Sequence, residues 1–190
     1  MSIVLASGSP RRRELLEMLG VKELLVIPAR GEEVVTPGSP PQDTVRSLAL
    51  RKAQEVAALR PAEDVIVAAD TIVWLDGELL GKPRTREQAA EMLLALSGRE
   101  HEVYSGVAVL RGAEELTGFE RTQVRFRELT HREIDAYIAT GEPMDKAGAY
   151  GAQGLGSLFV EGITGDFFNV MGLPLCTLGR MLKKMGVELL

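Results

Sequence analysis

The sequence predicts an α/β protein, in which strand patterns alternate with helix patterns along the chain. The run from Val65 to Ala69 is continuously apolar, which is typical of a strand covered on both faces. The stretch from Gln42 to Leu59 repeats its apolar residues at helical spacing, which predicts an amphipathic helix. Shorter strand and helix patterns before and after these two segments extend the same alternating order.

Length and composition predict one soluble domain spanning residues 1–190. Hydrophobic residues make up 45% of the chain and charged residues 26%, which is ordinary for a globular protein. No apolar run approaches the roughly 20 residues that span a bilayer, and no secretory leader opens the sequence. We therefore expect no membrane association and a cytoplasmic location.

The single cysteine and the net charge narrow the function classes. Cys176 excludes an internal disulfide and fits a reducing compartment, and its apolar surroundings predict that it is buried. The net charge of −5 argues against a nucleic-acid partner, since proteins that wrap nucleic acid usually carry a basic excess. Basic residues occur here as local islands, which favours a small anionic ligand.

The first predicted elements are a strand from Ile3 to Ala6 and a helix that begins at Ser9-Pro10. Serine is a preferred N-cap residue, and proline fits the first helical position because no backbone N–H is needed there. Gly20 supplies the stop, about three turns later.

Three arginines, Arg11, Arg12 and Arg13, occupy the first turn of this helix, where the macrodipole disfavours cations. Free N–H groups and guanidinium groups, together with the hydroxyls of Ser7 and Ser9, would suit a polyanion such as a phosphate chain. The alternative is a solvated basic helix end. At about 100° per residue, three consecutive arginines cannot all face one ligand, so one or two should bind and the rest lie on the surface.

A strand is predicted from Glu23 to Ile27, followed by a loop from Arg30 to Pro41 that carries Glu32 and Glu33. The helix after it places Lys52 on its apolar stripe. The lysine either extends out of the core to solvent or points its ammonium into a cleft at the edge of the core. The residues expected to form the buried face are Val45, Leu48, Ala49, Ala53 and Val56.

Asp70-Thr71 ends the apolar run, and open α/β sheets bind ligands at the carboxyl ends of their strands. The structural alternative is an aspartate that caps a turn. A second alternative places Asp70 within a kinked strand, because apolar residues continue from Ile72 to Leu75. Its charge would then require a lysine, a metal or hydrogen bonds.

Asp76-Gly77 predicts a hairpin, and Gly81-Lys82-Pro83 follows it. The second motif is not a phosphate-binding P-loop, because its glycine spacing is one residue short and Pro83 replaces the required Ser or Thr. It nevertheless places a lysine on a glycine-containing turn close in sequence to Asp70.

The middle of the chain predicts two capped helices and two strands, and its two histidines lack partners at metal-ligand spacing. We interpret both histidines, His101 and His131, as structural. The predicted elements are a helix from Thr85 through Leu96, strands from His101 to Leu110 and from Leu116 to Phe126, and a helix from Thr130 through Ala139.

Four glycines between Gly148 and Gly156 indicate close backbone approach or positive φ angles. Gln153, which lies among them, offers a donor and an acceptor that suit a base edge. A strand from Ser157 to Ile163 and a helix from Pro174 to Lys184 complete the prediction.

Taken together, these motifs resemble the Maf family of nucleoside triphosphate pyrophosphatases, almost from end to end. Each motif is weak alone, but seven in the same order are specific. They are Leu5-Ala6-Ser7-Gly8-Ser9-Pro10-Arg11-Arg12, Lys52-Ala53, Ala69-Asp70-Thr71, Gly81-Lys82-Pro83, Ser97-Gly98, Asp145-Lys146-Ala147-Gly148-Ala149-Tyr150-Gly151 with Gln153-Gly154, and Gly172-Leu173-Pro174-Leu175.

The resemblance implies an elongated, twisted mixed β-sheet flanked by helices, with a central cleft between two lobes, similar to inosine triphosphate pyrophosphatases. It also implies a homodimer that hydrolyses nucleoside triphosphates at the α–β linkage with a divalent metal such as Mg²⁺, Mn²⁺ or Co²⁺. Asp70 matches the family's proton acceptor, and Glu33, with Glu32 as the competing choice, matches a metal or water-positioning partner. The groups expected to bind phosphate are those of Ser7, Ser9, Arg12, Lys52 and Lys82.

Three positions resemble the branch of the family that acts on dTTP and UTP, namely Arg11, Thr71 and Gln153. The branch that acts on 7-methyl-GTP tends to carry Trp, Gln and Glu there. An amide can pair with a uracil or thymine edge, which presents two carbonyls and one N–H.

Two other functions stay open at this point. The protein could be a pyrophosphatase for modified nucleotides, 7-methyl-GTP among them. It could instead be a non-catalytic regulator of septum formation that uses its arginine-rich turn to bind a partner, although the complete set of Asp70, Lys52, Lys82 and Glu33 argues against loss of catalysis.

Overall fold

The computed structural model describes residues 1–21 and 23–190. Within them, strands and helices alternate over the first half of the chain, as the sequence predicts. The strands are β1 (Ile3–Leu5), β2 (Leu24–Val26), β3 (Val65–Leu75), β4 (Glu78–Leu80), β5 (Glu100–Arg111), β6 (Glu114–Phe126) and β7 (Val160–Thr164). The α-helices are α1 (Pro10–Met18), α2 (Pro41–Ala57), α3 (Arg86–Leu96), α4 (His131–Ala139), α5 (Phe167–Met171) and α6 (Leu175–Lys184).

The seven strands form one mixed sheet, which confirms the predicted α/β class with a mixed sheet and helices. Its order is β2-β1-β3-β5-β6-β7, and β4 pairs with β3. β1 runs parallel to both β2 and β3, whereas the β3–β4 and β6–β7 pairs are antiparallel. The turn between β3 and β4 uses Asp76 (φ 51°) and Gly77 (φ 88°), the left-handed conformation that the Asp-Gly pair predicts.

The chain divides into two compact units. The first contains Met1–Asp70, Ser105–Glu120 and Gly172–Leu190, and the second contains Thr71–Tyr104 and Arg121–Met171. None of the helices in the described ranges is long and apolar enough to cross a membrane.

One hydrophobic cluster of the first unit lies between α2 and the strands β1, β3 and β5. All five residues predicted for the inner face of α2 are buried. The helix packs very close to β5, because a Cβ atom added at Gly106 would lie 2.1 Å from the carbonyl oxygen of Val45. Only glycine fits at this crossing.

The core of the second unit contains a cluster of aromatic rings in edge-to-face contact, formed by Phe126, Tyr137, Tyr150 and Phe159. His101 belongs to the same cluster and is 2% exposed, with Nε2 2.7 Å from the hydroxyl of Tyr150. Burial lowers the pKa of His101 to about 4. Within the described residues, His101 Nδ1 has no hydrogen-bond partner.

The structure corrects the sequence prediction at four points. Ser9 occupies the N-cap position of α1, but its side chain does not cap the helix. The last strand begins at Val160, because residues 155–159 form a 3₁₀ turn. A short helix, α5, was not predicted. Cys176 is exposed, since it lies on the outer side of α6 while Leu175 and Leu178 face inward.

Both capped helices begin where predicted, but only one of them has a complete capping box. Thr130 and Glu133 form the complete reciprocal pair at the start of α4. At α3, Thr85 accepts from the N–H of Gln88, but the Gln88 side chain accepts from the N–H of Arg84 instead.

We expect the substitution Gly106→Ala to lower the free energy of unfolding by about 2 kcal/mol or more, because the added methyl overlaps the α2 backbone. Urea denaturation followed by circular dichroism measures this. Gly162→Ala in β7 is the control, since nothing lies within 4 Å of its Cβ position and its φ is not positive. Equal stability of the two variants would contradict the close approach of α2 to β5.

We also expect His101 to make stability depend on pH. Its folded pKa of about 4 lies below the ordinary value of 6.5, so protonation favours the unfolded chain. The stabilisation is complete above pH 6.5 and is lost as the pH falls toward 4. Between about pH 7.5 and about pH 5, this costs about 2 kcal/mol in the free energy of unfolding.

The substitution His101→Gln should remove most of this pH dependence, because glutamine does not titrate but can still bond to the Tyr150 hydroxyl. Urea denaturation of both proteins at the two pH values measures the difference. If the free energy of unfolding changes with pH as much in the variant as in wild type, groups other than His101 cause the pH dependence.

Candidate active site

Arg12 is fixed at the start of α1 by two hydrogen bonds. Its Nε donates to the carbonyl oxygen of Gly172 at 2.8 Å, and its Nη1 donates to Ser7 Oγ at 3.2 Å. Ser7 is buried at the end of β1, and its Oγ also accepts from the backbone N–H of Ser9. The strand-to-helix connection therefore holds Arg12 in a defined position.

Arg12 also lies within the electrostatic field of two carboxylates. Burial lowers the pKa of its guanidinium, while the charge of Asp70, and less strongly that of Glu33, acts in the opposite direction. An arginine stays protonated at neutral pH even when its pKa is lowered, so Arg12 is a permanent cation here.

Lys52 lies between these same two carboxylates. Its Nζ is 2.5 Å from Asp70 Oδ1 and 2.6 Å from Glu33 Oε1. The side chains of Lys52 and Asp70 are largely buried, whereas that of Glu33 is half exposed. Of the two positions open for Lys52, the structure selects the one in which the ammonium meets acidic groups at the edge of the core.

Asp70 lies inside β3, which continues without interruption to Leu75. The turn-cap alternative is therefore wrong, and the requirement for a lysine or hydrogen bonds is met by Lys52. A buried aspartate on a strand with buried neighbours has little freedom to move, so its carboxylate is held at a fixed place.

Glu33 reaches this place from the loop between β2 and α2, which is exposed from Gly31 to Gly38. The structure brings Glu33, rather than Glu32, to Lys52. Glu55 of α2 accepts the backbone N–H groups of Arg30 at 2.7 Å and Gly31 at 2.9 Å. Sequence reasoning missed Glu55, although its position three residues after Lys52 places it on the same side of the helix.

The two other arginines of α1 differ from Arg12. Arg13 is exposed and pairs with Glu17 one turn later, with 2.7 Å between Nε and Oε1. Arg11 is half-buried, and its charge adds to the lowering of the Arg12 pKa. The three side chains thus differ in burial and partners, and which of them faces a ligand stays a prediction.

The second unit carries the remaining predicted site residues. Thr71 follows Asp70 along β3 and is half-buried, whereas Lys82 and Gln153 are exposed. The N–H of Gly148 donates to the carbonyl oxygen of Gly81 at 3.1 Å, which joins the turn before Lys82 to the start of the glycine-rich segment. Gly148 has a φ of 67°, and a Cβ atom there would lie 2.9 Å from Val73.

Glu142 holds the other end of the glycine-rich segment and was also missed by sequence reasoning. Its carboxylate accepts the N–H groups of Leu155 and Gly156 and the hydroxyl of Tyr137. Burial raises the pKa of Glu142, but these three hydrogen bonds lower it more, so the group stays ionised at neutral pH. Glu142 thereby fixes the backbone two residues beyond Gln153.

Two carboxylates of the site are candidate ligands for a divalent metal. In the described part of the chain, no group of three or more His, Cys, Asp or Glu residues could hold a metal ion. Asp70 and Glu33 provide two carboxylates, and Mg²⁺ in phosphate-processing sites commonly takes one or two carboxylates and completes its shell with phosphate oxygens and water. The residues therefore fit a metal that binds together with a phosphate ligand.

The chain is similar to known proteins over nearly its whole length. A family model described as "Maf-like protein" matches residues 2–185. Proteins of Bacillus anthracis and Bacillus cereus, both named dTTP/UTP pyrophosphatase, are 50% identical over 186 residues, which cover 98% of this chain and 96% and 91% of theirs.

Two solved structures are more distant. A nucleoside-triphosphatase, or dITP/XTP pyrophosphatase, from Mycobacterium abscessus has a TM-score of 0.47 and 18% identity, with 97% of both chains covered. A HAM1 protein from Coxiella burnetii has a TM-score of 0.44 and 20% identity, covering 66% of this chain and 73% of the other. By the match over nearly its whole length and by its relatives at 50% identity, this chain belongs to the Maf family.

Proposed function

We propose that this protein hydrolyses nucleoside triphosphates, with dTTP and UTP as substrates, at the α–β phosphate linkage to give a monophosphate and pyrophosphate. The observation that carries the proposal is the Lys52 ammonium bonded to both Asp70 and Glu33 in the same unit as Arg12. The names of the relatives at 50% identity support the choice of substrates.

Departure of pyrophosphate requires that the negative charge of the phosphate chain be offset. Arg12 offers a fixed cation for this, since the Gly172 carbonyl and Ser7 hold its guanidinium. Ser7 and Ser9 supply hydroxyls, and Lys52 and Lys82 supply ammonium groups. We assign these five residues to the phosphates.

We assign to Asp70 the role of accepting a proton from the attacking water. Its Oδ1 accepts from Lys52, which orients the carboxylate that would take the proton. Glu33 and Asp70 would together hold a divalent metal such as Mg²⁺, Mn²⁺ or Co²⁺. When bound, the metal would supply additional positive charge to the phosphates.

Base selection is assigned to Arg11, Thr71 and Gln153. Gln153 is exposed and flanked by backbone that Glu142 and the glycines constrain, which suits an amide that must meet a base edge in one orientation. A neutral amide offers the donor and acceptor that a uracil or thymine edge requires.

The family resemblance also leads us to propose that residues 1–190 act as one domain, as a homodimer in the cytoplasm. The net charge of −5 supports a small anionic substrate over nucleic acid as the ligand.

We expect Asp70→Asn to lower the rate of pyrophosphate release from dTTP by at least about 10³-fold, because the amide cannot accept the proton from water. The asparagine can still accept from Lys52, so folding and nucleotide binding should persist. Pyrophosphate assays and isothermal titration calorimetry measure the two effects. Asp43→Asn, at an exposed position in the first turn of α2, is the matched control. Turnover retained in Asp70→Asn would refute the assigned proton acceptor.

Alanine variants of the three arginines should have different effects on the kinetics measured with a panel of nucleoside triphosphates. Arg12→Ala should raise KM about 10-fold to 100-fold for all triphosphates alike, since a charge-assisted contact to phosphate is lost. Arg11→Ala should compress the difference in kcat/KM among dTTP, UTP and 7-methyl-GTP. Arg13→Ala is the control and should change little, because that side chain is exposed and pairs with Glu17. If Arg13→Ala raised KM as much as Arg12→Ala does, the separate roles assigned to the three arginines would be contradicted.

A further inference from the structure

Three side chains of α2 contact the exposed loop that carries Glu33. Glu55 accepts the N–H groups of Arg30 and Gly31, Lys52 pairs with Glu33, and Arg51 Nη1 donates to the carbonyl oxygen of Val34 at 3.4 Å. The loop therefore follows α2 for five residues, held by side chains from one turn of that helix.

We propose that Glu55 is a positioning residue that fixes the loop so that the Glu33 carboxylate meets Lys52 and the substrate. The role rests on the proposed function, because Glu33 matters only if the site hydrolyses nucleotides. In this proposal Glu55 acts through the loop backbone that it holds and not by binding substrate or metal.

The Glu55 contact is bidentate. Oε1 accepts from Arg30 and Oε2 accepts from Gly31, so two consecutive peptide units are fixed by one carboxylate. These two hydrogen bonds lower the pKa of Glu55, which keeps the group ionised and the contact intact at neutral pH. Charged acceptors form roughly twice as strong a hydrogen bond as neutral ones.

The anchored residues are close enough to Glu33 to determine its place. Glu33 follows Gly31 by two residues, a span of at most about 7 Å of chain. A Cβ atom added at Gly31 would lie 2.7 Å from Glu55 Oε2, so it would push the carboxylate away from its contact with the loop. A shift of the Glu55 carboxylate would therefore move Glu33 as well.

The Glu33–Lys52 pair is a weak anchor by itself. The Glu33 side chain is 52% exposed, and ion pairs in contact with solvent usually contribute little, because water screens them and long side chains lose entropy. Every residue of the loop from 31 to 38 is exposed. Without the second, independent contact from Glu55, the loop would therefore often move Glu33 away from Lys52.

Helix geometry makes this anchor specific. Lys52 and Glu55 are three residues apart, so they lie on the same side of α2. The same helix buries Ala53 and Val56 in the core. One rigid element therefore carries both Lys52, which pairs with Glu33, and Glu55, which holds the loop of Glu33.

The test uses Glu55→Ala and the independent change Gly31→Ala, which weakens the same contact from the loop side. Both should lower kcat for dTTP about ten-fold, with a smaller change in KM, as is common when a group that orients a site residue is removed. Glu55→Gln keeps one acceptor and should fall between wild type and Glu55→Ala. Gln54→Ala is the control, since that exposed neighbour on α2 contacts Glu115 instead and should keep wild-type activity.

A double-mutant cycle distinguishes positioning from general destabilisation. In a Glu33→Ala background, Glu55→Ala should have no further effect on kcat, because the group it positions is gone. Hydrogen exchange of a peptide covering residues 29–36 should become faster in Glu55→Ala, while the melting temperature stays close to that of wild type.

Three results would overturn the inference. They are wild-type kcat in Glu55→Ala, effects of Glu33→Ala and Glu55→Ala that multiply, or unchanged exchange at residues 29–36. In each case the proposed function would stand if wild type releases pyrophosphate. If wild type releases none from any triphosphate, the proposed function is wrong and the role of Glu55 in it is wrong as well.

Discussion

The contact on which the site depends is the Lys52 ammonium bonded to Asp70 and Glu33. Two carboxylates brought together would repel, and the buried one would be costly without a partner. One lysine offsets both, and it joins a buried strand to an exposed loop. Under the proposed function, a phosphate chain and a divalent metal would bind where these charges lie, with Arg12 as a further fixed cation.

This contact requires the packing of α2 against the sheet. The small residues Ala49 and Ala53, with Gly106 on β5, let the helix approach the strands closely. That approach brings a side chain of Lys52's length to an aspartate inside β3. The same helix reaches outward through Arg51 and Glu55 to the loop of Glu33. Core packing and site geometry are therefore properties of one element.

Much of this was predictable from sequence, because periodicity and capping are local. The inner face of α2, the hairpin at Asp76-Gly77 and the capped start of the helix at Thr130 all follow such patterns. Glu55 and Glu142 were not predictable, since each binds backbone N–H groups 13 to 25 residues away and carries no motif of its own. The prediction that Cys176 is buried was wrong, because local hydropathy does not say which side of α6 faces solvent.

The proposed chemistry is tested most directly by incubating wild-type protein with dTTP and a divalent metal and measuring pyrophosphate and orthophosphate separately. Attack that breaks the α–β linkage should release pyrophosphate and dTMP in equal amounts, with no orthophosphate. Release of orthophosphate with dTDP would place the cleavage at the β–γ linkage and would contradict the assignment of Asp70, Lys52 and Glu33 to α–β hydrolysis.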